Sequence, residues 1–402
     1  MTERAVTPLS DAQAEFHLYR ARKYVPELDG VRALSVIGVI GSHMAINSGW
    51  HWLSGGLGVY VFFVLSGYLI TTLALREERA IGHLSYKAFY VRRTLRIFPL
   101  YYVAVLVYCG LLFATNWGHE TRQTFADALP YYLTYLQEIP YTFDTIVGGR
   151  PSPFGHSWSL GIEEKYYLVW PVLAFGLWAG RPLTRLRGTV VLLVLFAATQ
   201  SIGRLSPAID AWRPELILYP YSHILWGCLL AILLDDPKWY TRLRRLGSPL
   251  GMLVCLAAFL AAQVAYEPFS GTFREVMILH GLATTALMGS ILTSDGPVQW
   301  ALRARPLVFL GKVSYGMYLF HGLGTSAAQK VMRGHPELAW VTYALAVLAT
   351  TAIAYVCAVF VERPGIRIGR RWSDAILRRK ETAPAAAAEP VAVPRSALES
   401  RL

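Results

Sequence analysis

Residues 56–75 have the sequence GLGVYVFFVLSGYLITTLAL, an apolar run of twenty residues without a charged side chain. A helix of about 20 residues rises about 30 Å, which is the thickness of the hydrocarbon core of a membrane. Its backbone N–H and C=O groups pair within the segment, as a lipid environment requires. The run lacks the short alternating pattern of barrel strands. It therefore predicts a membrane-spanning helix.

Similar runs recur along the whole chain. Apolar residues make up 54% of the 402 residues and charged ones 16%, whereas about a quarter is usual for soluble proteins. The sequence thus predicts an all-α, polytopic integral membrane protein with about ten transmembrane helices. The candidate spans are roughly 31–49, 56–75, 97–114, 157–180, 189–204, 216–234, 249–266, 275–293, 307–328 and 338–361.

An eleventh apolar segment, 125–139, is short and contains Pro130, with Pro140 directly after it. If this segment does not cross the membrane, all basic loops fall on one side of the membrane, as expected for cytoplasmic loops. If it does cross, the later basic loops change sides, which the same rule disfavours. We therefore predict ten spans with both termini cytoplasmic, in a multi-pass protein of the cell membrane. The basic loops are 76–96, 181–187, 238–245, 303–305 and the segment from Arg363.

The ends of the chain differ in composition from the rest. Residues 1–24 are predicted to be a cytoplasmic N-terminal tail, 25–372 a transmembrane domain and 373–402 a disordered cytoplasmic tail rich in Ala and Pro. No second globular domain is expected. The net charge of +12 lies in short loops rather than on one polar face, which favours topology and lipid contact over a nucleic-acid partner.

Ionisable side chains within the spans are candidates for function, because a charge near mid-bilayer costs about 2.5 to 3.5 kcal/mol. In the first span, Arg32, Ser35, Val39 and His43 follow helical spacing on one face. At 1.5 Å per residue, the imidazole lies about 16 Å beyond the guanidinium. Since histidine titrates near neutrality, His43 is the clearest candidate for a catalytic role.

Two later spans repeat this pattern. In the fourth, Ser159, Glu163 and Tyr167 share one helix face, although Glu163 could instead lie at the interface and pair with Lys165. Each buried histidine could alternatively be a satisfied hydrogen-bonding partner between helices. No two histidines lie one turn apart beside a carboxylate, so no metal site is predicted. The ninth span places four polar residues on one face: Ser314, Tyr318, His321 and Thr325.

The loop after the second span is strongly basic. Arginines spaced three and four apart form a cationic ridge that suits phosphates, and the aromatic residues among them could stack on a base. An adenine nucleotide carrier would fit this pattern. The alternative is that these side chains only set topology and contact anionic lipid headgroups. The basic residues are Lys87, Arg92, Arg93 and Arg96, and the aromatic ones are Tyr86, Phe89, Tyr90 and Phe98.

Six strings in order resemble one family, the bacterial membrane-bound acyltransferase family 3, which includes polysaccharide O-acetylases and macrolide acylases. The resemblance runs from about Glu27 to Arg371, and the order of the strings makes it specific. The strings are ELDGVRALSVIGVIGSHM from 27, FFVLSGYLI from 62, YVRRTLRIFPLYY from 90, HSWSLGIEEKYYLVWP from 156, LGKVSYGMYLFH from 310 and VERPGIRIGRR from 361.

This resemblance implies an acyl-CoA donor, by default acetyl-CoA, that enters from the cytosol, and an acceptor hydroxyl of a carbohydrate or related molecule on the other side. It suggests His43 as the catalytic histidine, with Glu163 and His321 as further candidates. Tyr315 or Tyr318 is a candidate donor to the developing oxyanion. A further extracytoplasmic domain, present in one branch, is not expected here. The donor-side candidates are Arg32, Arg92, Arg93 and Arg96.

Two other functions are compatible with the spans. A transporter or flippase of a lipid-linked sugar would also place polar residues at mid-depth, but it would not need a donor-binding ridge. A scaffold or receptor would leave His43 and Glu163 unexplained. The acceptor stays open among surface polysaccharide, glycolipid, peptidoglycan and natural product, and so does the oligomeric state.

Overall fold

A computed structural model describes residues 11–44, 55–139, 152–202, 214–269 and 276–382. Within these ranges the regular structure is helical throughout and contains no strand, which confirms the all-α prediction. The α-helices are α1 (Asp11–Ala21), α2 (Pro26–Met44), α3 (Gly58–Ile81), α4 (Tyr86–Ala114), α5 (Arg122–Leu133), α6 (Trp158–Val172), α7 (Pro182–Ile202), α8 (Pro214–Asp235), α9 (Pro237–Leu243), α10 (Pro249–Phe269), α11 (Val276–Thr293), α12 (Pro297–Leu302), α13 (Arg305–Val331), α14 (Ala339–Cys357) and α15 (Arg363–Thr382).

Five helical segments among the described residues are long and apolar enough to cross a membrane. Each overlaps one of the predicted spans. No other segment of the described residues meets this criterion, so the count of ten spans stays a prediction, as does the side of the termini. The five segments are Gly55–Ile81, Tyr86–Ala114, Pro249–Tyr266, Val276–Thr293 and Pro336–Arg378.

The segment 125–139 contains only a short helix in the structure. Helix α5 has 12 residues with Pro130 inside it, and so rises about 18 Å, well short of a bilayer core. Tyr135 follows with a positive φ of 56°, which breaks the helical path. Helix α5 by itself is therefore shorter than a membrane span, and the choice that 125–139 does not cross stays a prediction from loop charge.

The structure describes helices within both predicted tails, whose boundaries stay a prediction. Helix α1 lies inside the predicted tail 1–24, but its Phe16 and Tyr19 are buried, and both rings pack against Tyr240 at centroid distances of 5.3 Å. At the other end, α15 continues to Thr382, past the predicted boundary at 372. These segments are polar on average, so their composition did not indicate the single apolar or small residues that contact the domain.

The helices pack in pairs that bring distant parts of the chain together. Helix α2 packs on α13, α13 on α14, α3 on α8 and α4 on α15. Glycines allow the closest of these approaches: a Cβ at Gly67 of α3 would overlap the carbonyl of Ile224, and one at Gly227 of α8 would overlap that of Val64. Small residues at helix crossings are typical of membrane proteins, where packing contributes much of the association energy.

Helix α14 continues into α15 through a π-helical turn, Ala358–Glu362. The resulting segment Pro336–Arg378 has 43 residues and is about 65 Å long at 1.5 Å per residue. Since a hydrocarbon core is about 30 Å thick, part of this helix must lie outside it. The charged part is α15, which carries Arg363, Arg367 and Arg370. The π turn places the side chain of Glu362 inside the protein.

Candidate active site

Helix α2 positions the first site residue. Pro26 begins the helix, where its missing N–H is not needed, and the acidic Glu27 and Asp29 lie in the first turn. The Asp29 carboxylate lies 3.9 Å from Nη1 of Arg32, one turn further on. Arg32 lines a cavity of about 450 Å³ that extends between α2, α3, α4, α6, α13 and α15.

The lining of this cavity is strongly cationic. Its described residues include seven basic and three acidic side chains. Lys23 and the exposed Tyr24 line one end, so the cavity is open there. A volume of this size is typical of small-molecule sites. The basic residues are Lys23, Arg32, Arg76, Arg93, Arg96, Lys312 and Arg370, and the acidic ones are Asp29, Glu163 and Glu362.

Helix α6 contributes the carboxylate of Glu163. Ser66 of α3 donates a hydrogen bond to its Oε1 at 2.9 Å, and Tyr167 donates to its Oε2 at 3.1 Å. Ser159, Glu163 and Tyr167 all line the cavity, as their spacing predicts. The guanidinium of Arg93 lies over the Tyr167 ring, 4.9 Å from its centroid. These contacts join the cationic wall of α4 to the carboxylate of α6.

The structure separates the predicted donor-side arginines into two groups. Arg32, Arg93 and Arg96 line the cavity. Arg92 is not among the lining residues; its Nη1 donates to Ser373 Oγ at 2.6 Å, and its Nη2 pairs with Glu77. Adjacent residues on a helix point in directions about 100° apart, so two neighbouring arginines reach different surroundings.

Three histidines from different parts of the chain meet beyond the cavity. The ring centroid of His321 lies 4.6 Å from that of His43 and 4.4 Å from that of His156. His321 is buried, with 1% of its surface exposed, whereas His43 is exposed. The predicted candidates His43 and His321 are thus neighbours, although they belong to α2 and α13. We refer to these three side chains as the histidine cluster.

Hydrogen bonds to backbone carbonyls assign the tautomer of each ring in the histidine cluster. Nδ1 of His43 lies 2.9 Å from the carbonyl of Val39, and Nδ1 of His321 lies 2.7 Å from that of Tyr318. Nε2 of His156 lies 3.2 Å from that of Leu319. A carbonyl only accepts, so each of these nitrogens carries the hydrogen. In a neutral imidazole the other nitrogen then accepts, so the histidine cluster offers three basic nitrogens.

Tyr318 connects the cavity to the histidine cluster. It lines the cavity, while its ring centroid lies 5.7 Å from that of His156 and 5.8 Å from that of His321. Its hydroxyl lies 2.7 Å from Ser159 Oγ and also donates to the carbonyl of His156. Tyr315, one turn earlier, lines the cavity too, but its hydroxyl donates to the carbonyl of Ile97 at 3.0 Å.

Three residues of the cavity or of the histidine cluster are not among the predicted site residues. His156 is the third member of the histidine cluster, and its position just before the fourth span, in the string HSWSLGIEEKYYLVWP, was the available signal. Arg370 and Glu362 reach the cavity from the string VERPGIRIGRR. Their helix lies at the end of the chain, and only the packing of α15 on α4 brings it to the site.

A family model described as an acyltransferase domain matches residues 25–359. The chain belongs to acyltransferase family 3. The match covers α2 through α14, and so includes the histidine cluster and most of the lining of the basic cavity. The resemblance seen in the six sequence strings is thereby confirmed.

Curated members of acyltransferase family 3 align with most of this chain. The peptidoglycan O-acetyltransferase OatA of Listeria monocytogenes is 31% identical over 370 residues, which cover 86% of this chain and 56% of OatA. YrhL of Bacillus subtilis, provisionally assigned as a peptidoglycan O-acetyltransferase, is 31% identical over 369 residues, or 87% of this chain and 56% of YrhL. The chain thus spans about half the length of these relatives. No solved structure matches it.

Proposed function

We propose that this protein is a multi-pass enzyme of the cell membrane that transfers an acyl group from acyl-CoA to a hydroxyl of a carbohydrate or related acceptor. Acetyl is the expected group, because the curated relatives are named O-acetyltransferases. One observation carries the proposal: an open, cationic cavity ends at Tyr318, and that side chain contacts a histidine cluster whose member His43 is exposed. The site requires no metal in this proposal.

The cationic lining supports coenzyme A as the donor. Coenzyme A carries phosphates that guanidinium groups bind with charge-assisted hydrogen bonds. Arg32, Arg93 and Arg96 are the proposed phosphate ligands, since all three line the cavity. Arg92, held by Ser373 and Glu77, would act at the outer edge of the site if it contacts the donor.

In the proposed reaction, His43 acts as the general base. Its Nε2 takes the proton of the acceptor hydroxyl while that oxygen forms a bond to the acyl carbon. The carbon–sulfur bond then breaks and the thiolate of coenzyme A leaves. His321, whose ring packs against His43, is the neighbouring candidate that orients the His43 imidazole. Tyr315 and Tyr318 are the candidates to stabilise the oxyanion that forms during the attack, which requires one of these hydroxyls to exchange its carbonyl acceptor, Ile97 or His156, for that oxygen.

Glu163 has a positioning role in this scheme. It lies on the wall of the cavity and accepts hydrogen bonds from Ser66 and Tyr167, while Tyr167 in turn stacks with Arg93. The carboxylate therefore holds the α3, α4 and α6 walls in register and offsets part of the cationic charge of the lining.

The proposed topology follows from loop charge. Ten spans with both termini cytoplasmic place the basic cavity mouth on the cytosolic side, where acyl-CoA is made, and His43 towards the opposite side. The transmembrane acyltransferase domain is proposed as 25–372, with α1 and the end of α15 packed on it. The acceptor then approaches from outside, and peptidoglycan is the first acceptor to test.

Acyl transfer by the purified full-length protein tests the proposal. The protein, reconstituted in liposomes with radiolabelled acetyl-CoA inside and peptidoglycan fragments outside, is expected to release coenzyme A and to label the fragments at a hydroxyl. The double variant His43→Ala/His321→Asn is the negative control. If sugar-linked compounds cross the membrane without any consumption of acetyl-CoA, the protein is a transporter and the proposal fails.

A further inference from the structure

A second cavity, of about 550 Å³, lies where α1 packs on α9. Three segments that are far apart in sequence form it: α1 with the residue that follows it, the stretch from α9 to Ser248, and the end of α11. None of its lining residues lines the cavity of the candidate active site. Its lining includes three arginines, two acidic residues and three hydroxyl residues: Arg22, Arg244, Arg245, Glu15, Asp295, Ser248, Thr293 and Ser294.

The acidic residues of this cavity already have cationic partners. Glu15 lies 3.2 Å from Arg244, and Asp295 lies 2.9 Å from Arg303. Arg22 and Arg245, in contrast, have no acidic partner among the described residues. Two guanidinium groups from segments more than 200 residues apart therefore share one concave surface, and the two described carboxylates that line it are paired with other arginines.

A hydroxyl donor is available beside these arginines. Ser248 Oγ accepts a hydrogen bond from the N–H of Gly251 at 3.1 Å, which leaves its O–H to donate. Two guanidinium groups and a hydroxyl in one cavity match the oxygen atoms of a phosphate group.

The position of the cavity relative to the apolar helices indicates where the ligand comes from. The candidate span Pro249–Tyr266 begins directly after Ser248, and the candidate span Val276–Thr293 ends at a residue that lines the cavity. The cavity is therefore at the level where a span leaves the hydrocarbon core, which is the level of lipid headgroups. Leu18 on its rim and Leu250 just below are exposed, at 66% and 71%.

We propose that this second cavity binds the phosphate of an anionic phospholipid headgroup through Arg22, Arg245 and Ser248. Basic residues at the ends of spans commonly contact lipid headgroups in a general way. This site differs because its two unpaired arginines come from distant segments and converge in one cavity. The bound headgroup links α1 to α9 and α11, and so fixes the segment that leads to Lys23 and Tyr24 at the mouth of the active-site cavity.

Lipid binding to the full-length protein tests this site without any measurement of acyl transfer. Native mass spectrometry of protein released from micelles counts bound phosphatidylglycerol or cardiolipin, with phosphatidylethanolamine for comparison. The variant Arg22→Ala/Arg245→Ala is expected to bind anionic lipid about 30-fold more weakly, because each basic side chain near a membrane surface contributes about 1 kcal/mol. The matched control Lys238→Ala/Arg242→Ala removes the same charge from α9 outside the cavity, and is expected to bind like the unmodified protein.

Several results would overturn the proposal. An equal loss in both double variants would mean that binding depends only on overall charge. Binding of glycerol phosphate or inorganic phosphate as tight as that of phosphatidylglycerol would assign the cavity to a soluble phosphate compound. Loss of acetyl-CoA binding in the cavity variant would assign it to the donor site. If the double variant loses its thermal transition, Arg22→Gln alone, at an exposed position after α1, provides the same comparison.

Discussion

The histidine cluster shows how single atoms fix the chemistry that a residue can perform. Each ring in the cluster donates one N–H to a backbone carbonyl, and each carbonyl belongs to a helix rather than to a side chain that could rotate away. The tautomers are therefore set by the fold. Because His43 is exposed and His321 is buried, His43 is the ring of this pair that a solute can reach from the surface.

Replacing His43 with alanine is expected to reduce acyl transfer by about 10²- to 10⁴-fold, the usual contribution of a general base. The variant is expected to bind acetyl-CoA as tightly as the unmodified protein, because the cationic cavity is unchanged. Turnover of labelled acetyl-CoA and equilibrium binding are measured on the same preparation. The exposed His119→Ala, in the turn before α5, is the control. Retained turnover in His43→Ala would remove this histidine from the mechanism.

Replacing Arg93 with alanine is expected to weaken acetyl-CoA binding by about tenfold, the loss of one charge-assisted contact. The difference should shrink as ionic strength rises, because salt screens the attraction between guanidinium and phosphate. Arg92→Ala removes the same charge from the adjacent position, whose side chain is held by Ser373 and Glu77. If both variants lose the same affinity for acetyl-CoA, Arg93 contributes no more to donor binding than Arg92 does. The proposed contact between Arg93 and a coenzyme A phosphate would then be wrong.

At the scale of helices, hydropathy located five apolar helical segments but not their contacts. The apolar run 56–75 and helix α3 coincide, because length and apolar composition alone decide whether a segment can cross lipid. Hydropathy did not indicate that helix α1 packs on the domain, because the helix is polar on average. Only two aromatic residues, Phe16 and Tyr19, are buried in this contact. Spacing within one helix also gave the shared face of Ser159, Glu163 and Tyr167, which all line the cavity.

Helix packing provides a prediction at this scale. Gly67→Leu is expected to separate α3 from α8, because a Cβ at this position overlaps the backbone of Ile224. Overpacking of this kind costs about 1 to 3 kcal/mol, and the thermal transition in detergent should fall accordingly. Gly110→Leu in α4 is the matched control, since a Cβ there has no neighbour within 4 Å. A similar melting temperature in both variants would contradict the close crossing.

At the scale of the whole molecule, the candidate site forms only when distant helices of the chain pack together. Four of the site residues come from four helices that are spread over nearly 290 residues: Arg32, Arg93, Glu163 and Tyr318. Periodicity in the sequence shows which residues share a face of one helix, but not which helices meet. The family resemblance grouped several of these residues, but it did not separate Arg92 from Arg93 or add His156 to the histidine cluster. Those distinctions depend on the rotation of each helix against its neighbours, which the packing of α2 on α13 and of α4 on α15 determines.

The proposed topology predicts which surfaces are accessible from outside the cell. A cysteine at position 119, between α4 and α5, is expected to react with a membrane-impermeant maleimide in intact cells. A cysteine at position 242, on α9, should react only after the membrane is permeabilised. The native cysteines are replaced first, since Cys109 and Cys357 are partly exposed. Labelling of both positions in intact cells would contradict ten spans with both termini cytoplasmic.

The position of Tyr318 has a consequence for the permeability of the cell envelope. One phenol ring lies between the open cationic cavity and the imidazoles of the histidine cluster. In the proposed topology, acyl groups pass between two compartments, and this must happen without dissipating the ion gradients across the membrane. Shortening this ring to alanine should therefore make proteoliposomes leak protons, a defect visible with a pH-sensitive dye even when no substrate is present.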